Sequence, residues 1–261
     1  MARYLRLLLV QLRASMLLAL QYRFDFVVDA LLSLFWTASA FVPLLVLFDQ
    51  RPEVAGWSFS EALLVVGFFT LLKGVLDGAI HPSLQAVVEH IRKGTLDFVL
   101  LKPADAQFLV STARFEIWKG TDAVGGLIVL GWALSKLPAP GVGDVAAMLL
   151  LLLAAVTILY SIWILVTALA FVVVKVDNLS FLFASIYDAA RWPASIFRGV
   201  LSVIFTFVIP LAVMTTFPAL ALLGKLESAQ LLSALVGALV FFVGARVVWM
   251  RSIGRYTSAG G

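Results

Sequence analysis

Few side chains in this chain of 261 residues have the types and spacing that chemistry would need. The only histidines are His81 and His90, cysteine is absent, and there is no HExxH sequence, so no metal site is predicted. Neither histidine falls in a predicted span, which disfavours a serine hydrolase within the membrane. A GxxxxGK[ST] loop is also absent, so the chain is not expected to hydrolyse ATP itself. We predict no catalytic residue, no cofactor and no metal ion on this chain.

Several ionisable residues lie within or beside long apolar runs, where each charge costs about 2.5–3.5 kcal/mol. They are Glu61, Lys73, Asp77, Asp122, Asp188 and Arg191. Lys73 and Asp77 are four residues apart, a spacing that predicts a local ion pair on one helical face. The three-residue spacing of Asp188 and Arg191 predicts a second such pair. No regular series of carboxylates runs through the spans, which disfavours an ion-coupled carrier.

The composition confines the chain to one class of protein. Apolar residues make up 62% of it, charged residues only 13%, and the mean hydropathy is +1.06. So few charges cannot cover the surface of a soluble enzyme, a secreted domain or a DNA-binding domain. We therefore predict an all-α membrane protein with one transmembrane domain over 1–261. The net charge of +4 needs no nucleic-acid partner, because basic residues beside anionic membrane lipid explain it.

Six apolar runs are long enough to predict membrane spans. They cover 26–48, 59–79, 121–137, 145–173, 199–223 and 229–249. Pro210 and Pro218 interrupt the fifth run, so we expect a re-entrant piece near 210–224. With the N-terminus inside, 15 of the 19 Lys and Arg residues fall in inner segments, and only Arg51, Lys136 and Lys225 fall outside. This asymmetry predicts that both termini are cytoplasmic.

Residues 1–22 predict an amphipathic helix. Leu5, Leu9 and Leu12 share one helical face, while Arg3 and Arg6 fall on another. Such a helix is expected to lie along the cytoplasmic interface, either as a simple anchor or as an elbow that braces the bundle.

The longest polar stretch, 80–120, lies inside by this topology. Its segment 82–94 begins with Pro82, ends with Gly94 and has an apolar stripe, which predicts a short two-faced helix. It would either dock a cytoplasmic partner or lie flat on the membrane. The run Phe98–Leu101 is too short to span and should be buried against the bundle or a partner. From Asp105 the chain is expected to continue as an interfacial helix into the third span.

The sequence from Arg92 to Pro103, RKGTLDFVLLKP, followed by Phe108, resembles a segment of ABC-type export permeases, in the branch described as an uncharacterised transport system, permease component. The basic first helix, the six spans and the loop after the second span fit this resemblance over essentially the whole chain.

The resemblance implies partners and a site. Two cytoplasmic ABC ATPase subunits, which carry ATP and Mg²⁺, would bind a coupling helix between spans two and three, beside a second permease of the same or a similar kind. The membrane would be the bacterial cytoplasmic (inner) membrane. The implied ATPase-coupling residues are Leu84, Val87, Val88, Glu89, Ile91, Arg92, Lys93, Gly94, Leu96, Asp97, Lys102 and Pro103.

Two matters stay open. Aromatic residues of the spans usually pack or form interface belts, but some could line a path, and the candidates are Phe35, Trp36, Phe69 and Tyr160. A membrane scaffold or assembly subunit without transport is the alternative function, ahead of an ion-coupled carrier. The sequence does not indicate the substrate.

Overall fold

The computed structural model describes residues 2–21, 23–172 and 177–256, and these are almost entirely helical. The helices are α1 (Ala2–Gln21), α2 (Arg23–Gln50), α3 (Phe59–Val75), α4 (His81–Arg92), α5 (Asp97–Leu100), α6 (Ala106–Ser111), α7 (Gly120–Leu134), α8 (Val142–Ala168), α9 (Asp177–Tyr187), α10 (Val200–Val203), α11 (Phe217–Leu222) and α12 (Ser228–Ile253). A small antiparallel hairpin, β1 (Glu53–Val54) with β2 (Trp57–Ser58), precedes α3.

Four helical stretches among the described residues are long and apolar enough to cross a membrane: Arg3–Gln21, Phe59–Arg92, Val142–Phe171 and Ser228–Ile253. Helices α2, α3, α7, α8 and α12 occupy five of the six predicted spans. We call the end of the bundle beside β1 and β2 the hairpin end, and the opposite end, which carries residues 94–103, the tip end.

The two-faced helix predicted over 82–94 is present as α4, but it continues α3 and does not lie in a separate loop. A π-helical turn at Leu76–Ile80 joins the two, and the residues around it keep right-handed helical backbone angles. Pro82 is tolerated inside this continuous helix because the Gly78 carbonyl, which the missing Pro82 N–H would have served, accepts the Glu116 backbone N–H instead (2.8 Å). The combined helix has 34 residues and is about 51 Å long, well beyond the roughly 30 Å hydrocarbon layer.

Helices α3 and α7 approach each other through glycines. A Cβ on Gly74 would come within 2.5 Å of the Ala123 backbone nitrogen, and one on Gly126 would collide with the Leu71 backbone. Side chains are therefore excluded from this crossing, and the two backbones pack directly. The rest of the core lies between α8 and α12, between α8 and α11, and between α4 and α8.

Residues 199–223 do not form a single span, and here the predicted fifth span is wrong. Short helical pieces at Val200–Val208 and Ala212–Leu222 are separated by Pro210. Both ends of the segment lie at the hairpin end, since the Trp57 indole donates to Ser195 Oγ (3.0 Å) and Lys225 pairs with Glu61 (2.6 Å). The arrangement is a re-entrant pair of short helices, as Pro210 and Pro218 suggested.

Helix α9 leads the chain toward the hairpin end. The Tyr187 hydroxyl donates to the Phe69 carbonyl of α3 (3.2 Å). Ser195, further along the chain, contacts Trp57, which precedes Phe69 by twelve residues, so the chain from α9 to Ser195 runs toward the hairpin end. Arg191 and Arg198 were counted among the 15 Lys and Arg residues predicted to lie in inner segments, and this path of the chain moves them away from the tip end. Lys175, also among the 15, lies outside the described residues. The remaining basic residues keep the asymmetry between the two ends.

Helix α1 contacts the chain through its polar side. Gln11 accepts a hydrogen bond from Thr112 (2.6 Å), and Ser15 accepts one from the Phe115 backbone (3.1 Å). The opposite face, with Leu5, Leu9 and Met16, is exposed. The separation of a polar and an apolar face agrees with the predicted amphipathic helix, although α1 also has the length and composition of a span.

Candidate coupling site

The tip end of the bundle is built by a reversal of the chain after α4. Gly94 takes a left-handed backbone (φ +65°), which a residue with a side chain rarely adopts, and ends the long helix. Leu96 then inserts fully buried into the core, and α5 follows as a single helical turn. The side chains of Phe98 and Leu101 remain 71% and 81% exposed. Two large apolar groups thus project from the end of the bundle.

The structure divides the predicted coupling residues into two groups. Leu84, Val87, Val88 and Leu96 are buried in the core of this chain, so a rigid partner could not touch them. Ile91 is partly buried against the same core. The exposed group comprises Glu89, Arg92, Lys93, Lys102 and Pro103, with Gly94 and Asp97 half-buried. Lys93 and Glu89 pair at 3.3 Å on the surface of α4.

The apolar run Phe98–Leu101 is divided in the same way. Val99 and Leu100 pack on the core, whereas Phe98 and Leu101 point outward. Both lie in the run that was expected to be buried against the bundle or a partner, although neither was named singly as a coupling residue. The sequence signal that could have identified them is the three-residue spacing of Phe98 and Leu101, because residues three apart on a helix share a face.

A polar network anchors the segment after the tip to two long helices. Arg246 of α12 pairs with Asp105 (2.6 Å) and donates to the Gln107 side chain (2.7 Å). Gln107 in turn donates to the Tyr160 hydroxyl of α8 (3.0 Å), which also bonds Ser111 (2.8 Å). Helix α6 is therefore held by charge-assisted and neutral hydrogen bonds to α8 and α12. The predicted interfacial helix from Asp105 is interrupted after Ser111 and resumes only at α7.

Helix α1 holds the same segment from the other side. Arg3 donates to the Pro103 carbonyl, the Asp105 backbone donates to the Tyr4 hydroxyl (3.3 Å), and Tyr4 packs edge-on against Phe108 at 4.8 Å. Residues 103–115 thus connect the tip to α1, α8 and α12.

The carboxyl of Asp105 has a pKa below its usual range. Hydrogen bonds from Arg246 are the main cause, and the Phe108 backbone N–H, which Asp105 accepts as the N-cap of α6, adds to it. A lowered folded-state pKa stabilises the folded protein at pH above the carboxyl's ordinary value of about 3.9, and this stabilisation is lost as pH falls through the lowered value.

We expect the difference in Tm between the native chain and Asp105→Asn to stay constant from pH 8 to pH 5 and to shrink below about pH 4, because only the native carboxylate then becomes protonated. Asparagine keeps the N-cap and removes only the charge. Thermal denaturation in detergent at successive pH values measures this. A difference that already falls between pH 8 and 6 would contradict the assignment of a lowered pKa.

The four aromatic residues predicted to line a path have different surroundings. Phe69 is buried, stacked on Tyr187 with ring centroids 5.2 Å apart, so it packs the core unless the helices separate. Tyr160 is half-buried and its hydroxyl serves the network above. Phe35 is exposed on α2, and the side chain of Trp36 lies outside the described residues.

A cluster of charges crosses from α3 to the segment after α9. Lys73 pairs with Asp188 (3.4 Å), a residue 115 positions away, and no Lys73–Asp77 ion pair occurs among the described residues, which corrects the predicted local pair. The predicted pair of Asp188 and Arg191 is confirmed, at 3.3 Å to the same carboxylate oxygen. Both cations lie over the Phe69 ring, at 5.7 and 5.4 Å from its centroid.

The histidines lie on α4 and serve packing. His81 rests against Trp163 with ring centroids 4.7 Å apart, and His90 bonds the Thr95 hydroxyl (2.8 Å). A cavity of about 220 Å³ opens between α4, α8 and α9. Its lining is both polar and apolar and includes His81, Gln85, Trp163, Thr167 and Phe181.

The fold and this site define a helical membrane protein whose longest helix carries an exposed apolar tip. The sequence model of the family described as ABC-2 family transporter protein matches residues 34–260. The chain belongs to this family, as the resemblance of Arg92–Pro103 implied. Neither the curated proteins nor the solved structures yield a match. A membrane component of an ABC transporter works with an ATPase subunit, and this chain is therefore an ABC-type permease.

Proposed function

We propose that this chain forms the translocation path of an ATP-driven exporter together with a second permease, identical or similar, and that two ATPase subunits bind its tip. In this proposal the tip end faces the cytoplasm of a bacterium and both termini lie on that side. ATP and Mg²⁺ bind on the ATPase subunits only.

The exposed pair Phe98 and Leu101 is the observation that carries the proposal. Large apolar side chains with 71% and 81% exposure at the end of a membrane protein are costly in water unless a partner covers them. The flanking charges, Lys93, Lys102 and Glu89, supply the polar rim that protein interfaces usually have. We assign α5 as the element that enters a cleft on the ATPase.

The long helix supports transmission of movement from the tip. Because α3 and α4 form one helix of about 51 Å, a displacement at Gly94 is delivered to the interior of the bundle without an intervening loop. The buried residues Leu84, Val87 and Leu96 secure this rod to the core. Their proposed role in coupling is therefore to hold the rod, while the exposed residues make contact.

In this proposal a displacement of α5 reaches the bundle by two routes, through the α3–α4 rod and through the hydrogen-bond network around Arg246. ATP-driven closure of the ATPase subunits would push α5, and α6 would carry the displacement to α8 and α12. A rigid-body change of this kind is the usual way in which packed helices switch between two arrangements. An export direction fits the short segments at the hairpin end, which offer no domain to capture a ligand there.

Copurification tests the proposal. The chain would be coexpressed with each ABC ATPase subunit of its own genome, solubilised and isolated by a tag on the permease. We expect one ATPase to copurify and its ATP hydrolysis to depend on the permease. Phe98→Asp and Leu101→Asp should each lower the bound ATPase about tenfold or more, the effect expected of a central interface residue.

Val142→Asp is the matched control, because Val142 is also a highly exposed apolar residue but lies at the start of α8, next to the hairpin end. This variant should retain the ATPase. If no ATPase of the genome copurifies, or if the tip variants bind it as well as the native chain does, the proposal fails and a scaffold without ATPase coupling becomes the better description.

A further inference from the structure

The charge cluster of Lys73, Asp188 and Arg191 lies at a depth where lipid cannot solvate it. Lys73 is fourteen residues after Phe59, so it is about 21 Å along a helix whose start is marked by Trp57 and the Glu61–Lys225 ion pair. This depth is inside a hydrocarbon layer of about 30 Å. Nevertheless, the three side chains are 40%, 42% and 30% exposed in the single chain.

Exposed charges at that depth require a surface other than lipid. Ionisable residues in membrane helices face a bundle interior or a water-filled cavity, because exposure to acyl chains costs several kcal/mol. The cavity between α4, α8 and α9 lies on the same side, one to two helical turns nearer the tip end, and its lining includes Ala184 and Phe181 of α9. Both features fall in the gap between the α3–α4 helix and α9.

The cluster has more hydrogen-bond donors than its own carboxylate uses. One oxygen of Asp188 accepts from both Lys73 and Arg191, and the Arg191 Nε–H donates to the Asp188 backbone carbonyl (2.9 Å). An ammonium and a guanidinium carry eight N–H groups, most of which remain for a ligand. Asp77 also lies near, within electrostatic range of Lys73, Lys119, His81 and Asp122, and of these Lys119 offsets part of its charge.

We propose that Lys73, Asp188 and Arg191 line the water-filled path and bind an anionic group of the substrate, a carboxylate, phosphate or sulfonate. The inference rests on the proposed transport function and names the substrate class for it. Phe69 and Tyr187 form an aromatic floor that keeps the two cations at fixed positions. The bound anion would add acceptors opposite Asp188.

Cysteine chemistry tests this cleanly because the native chain has no cysteine. Ser185, exposed on α9 three residues before Asp188, would be replaced by cysteine with the three charges intact. Vesicles of both orientations, holding the permease without ATPase, would receive anionic sulfonatoethyl methanethiosulfonate or its cationic trimethylammonioethyl analogue. We expect Ser185→Cys to react, and to react about tenfold faster with the anionic reagent, because a cationic cleft concentrates anions.

Four further variants complete the design. Ile128→Cys, exposed in the middle of α7, should be unreactive because it faces lipid, whereas Lys102→Cys at the tip should react with both reagents. In the Ser185→Cys background, Lys73→Met should abolish the anion preference and Lys73→Arg should retain it.

An unreactive Ser185→Cys beside a reactive Lys102→Cys overturns the water-filled path. Equal rates with the two reagents, or a preference that survives Lys73→Met, overturn the anion site. Because no ATPase takes part, failure of the proposed coupling would show only in copurification, and the two results stay separate.

Discussion

Replacing Gly126 with alanine is expected to destabilise the protein more than any other single methyl group added to α7. The new Cβ would collide with the backbone of Leu71 and approach the Gly67 carbonyl within 2.8 Å, and backbone atoms cannot move aside as a flexible side chain can. Helices α3 and α7 would have to separate, and the long rod would lose part of its support. We expect a loss of about 3 kcal/mol, the upper part of the range for overpacking, and a clear drop of Tm in detergent.

Gly125 is the matched control, since it is the preceding residue in the same helix and nothing lies within 4 Å of a Cβ built there. Gly125→Ala should leave Tm unchanged or raise it slightly, because alanine favours a helix more than glycine does. A Gly126→Ala protein as stable as Gly125→Ala would show that the close crossing of α3 and α7 is wrong.

Replacing Arg246 with alanine is the second change with a large expected effect. Arg246 is the shared donor to Asp105 and to the buried Gln107, so its removal leaves two acceptors without their strongest partner. An unsatisfied buried acceptor costs about 1–3 kcal/mol, and the half-exposed carboxylate adds less because water screens it. We expect a loss of about 2 kcal/mol and, in the assembled transporter, ATP hydrolysis that no longer depends on the permease.

A double-mutant cycle separates the network from a general defect. Arg246→Ala combined with Asp105→Asn should be scarcely less stable than Arg246→Ala alone, because the two residues share one interaction. Arg251→Ala, an exposed arginine of the same helix, is the control and should have no effect. If the losses of stability of the two single variants add up in the double variant, Arg246 does not link α6 to α12 through Asp105.

Much of the helical architecture could be predicted from the sequence because membrane spans are long, apolar and local. Five of six predicted spans correspond to helices of the structure, and Asp105 begins a helix where its short acceptor side chain favours an N-cap. The predicted fifth span failed because composition cannot tell a crossing helix from two short re-entrant helices of equal hydropathy. Only the contacts of Ser195 and Lys225 at the hairpin end distinguish them.

The sequence predicted which segment forms the candidate site, but not which of its side chains are exposed. The stripe of Leu84, Val87 and Val88 predicted an apolar face correctly, yet a periodic pattern does not say which molecule covers that face. The structure covers it with the chain's own core and leaves Phe98 and Leu101 exposed. Likewise, the four-residue spacing of Lys73 and Asp77 predicted a local pair, whereas packing of α3 against the segment after α9 offers Lys73 a carboxylate 115 residues away.

The sequence by itself determined the class of this protein: a basic, apolar chain of membrane helices with one long polar segment. Hydropathy and charge are sums over local residues, so they can be read without a fold. The tertiary structure decided which charges meet and which apolar face is buried. These depend on residues about 100 or more positions apart, and only packing brings such residues within hydrogen-bonding distance.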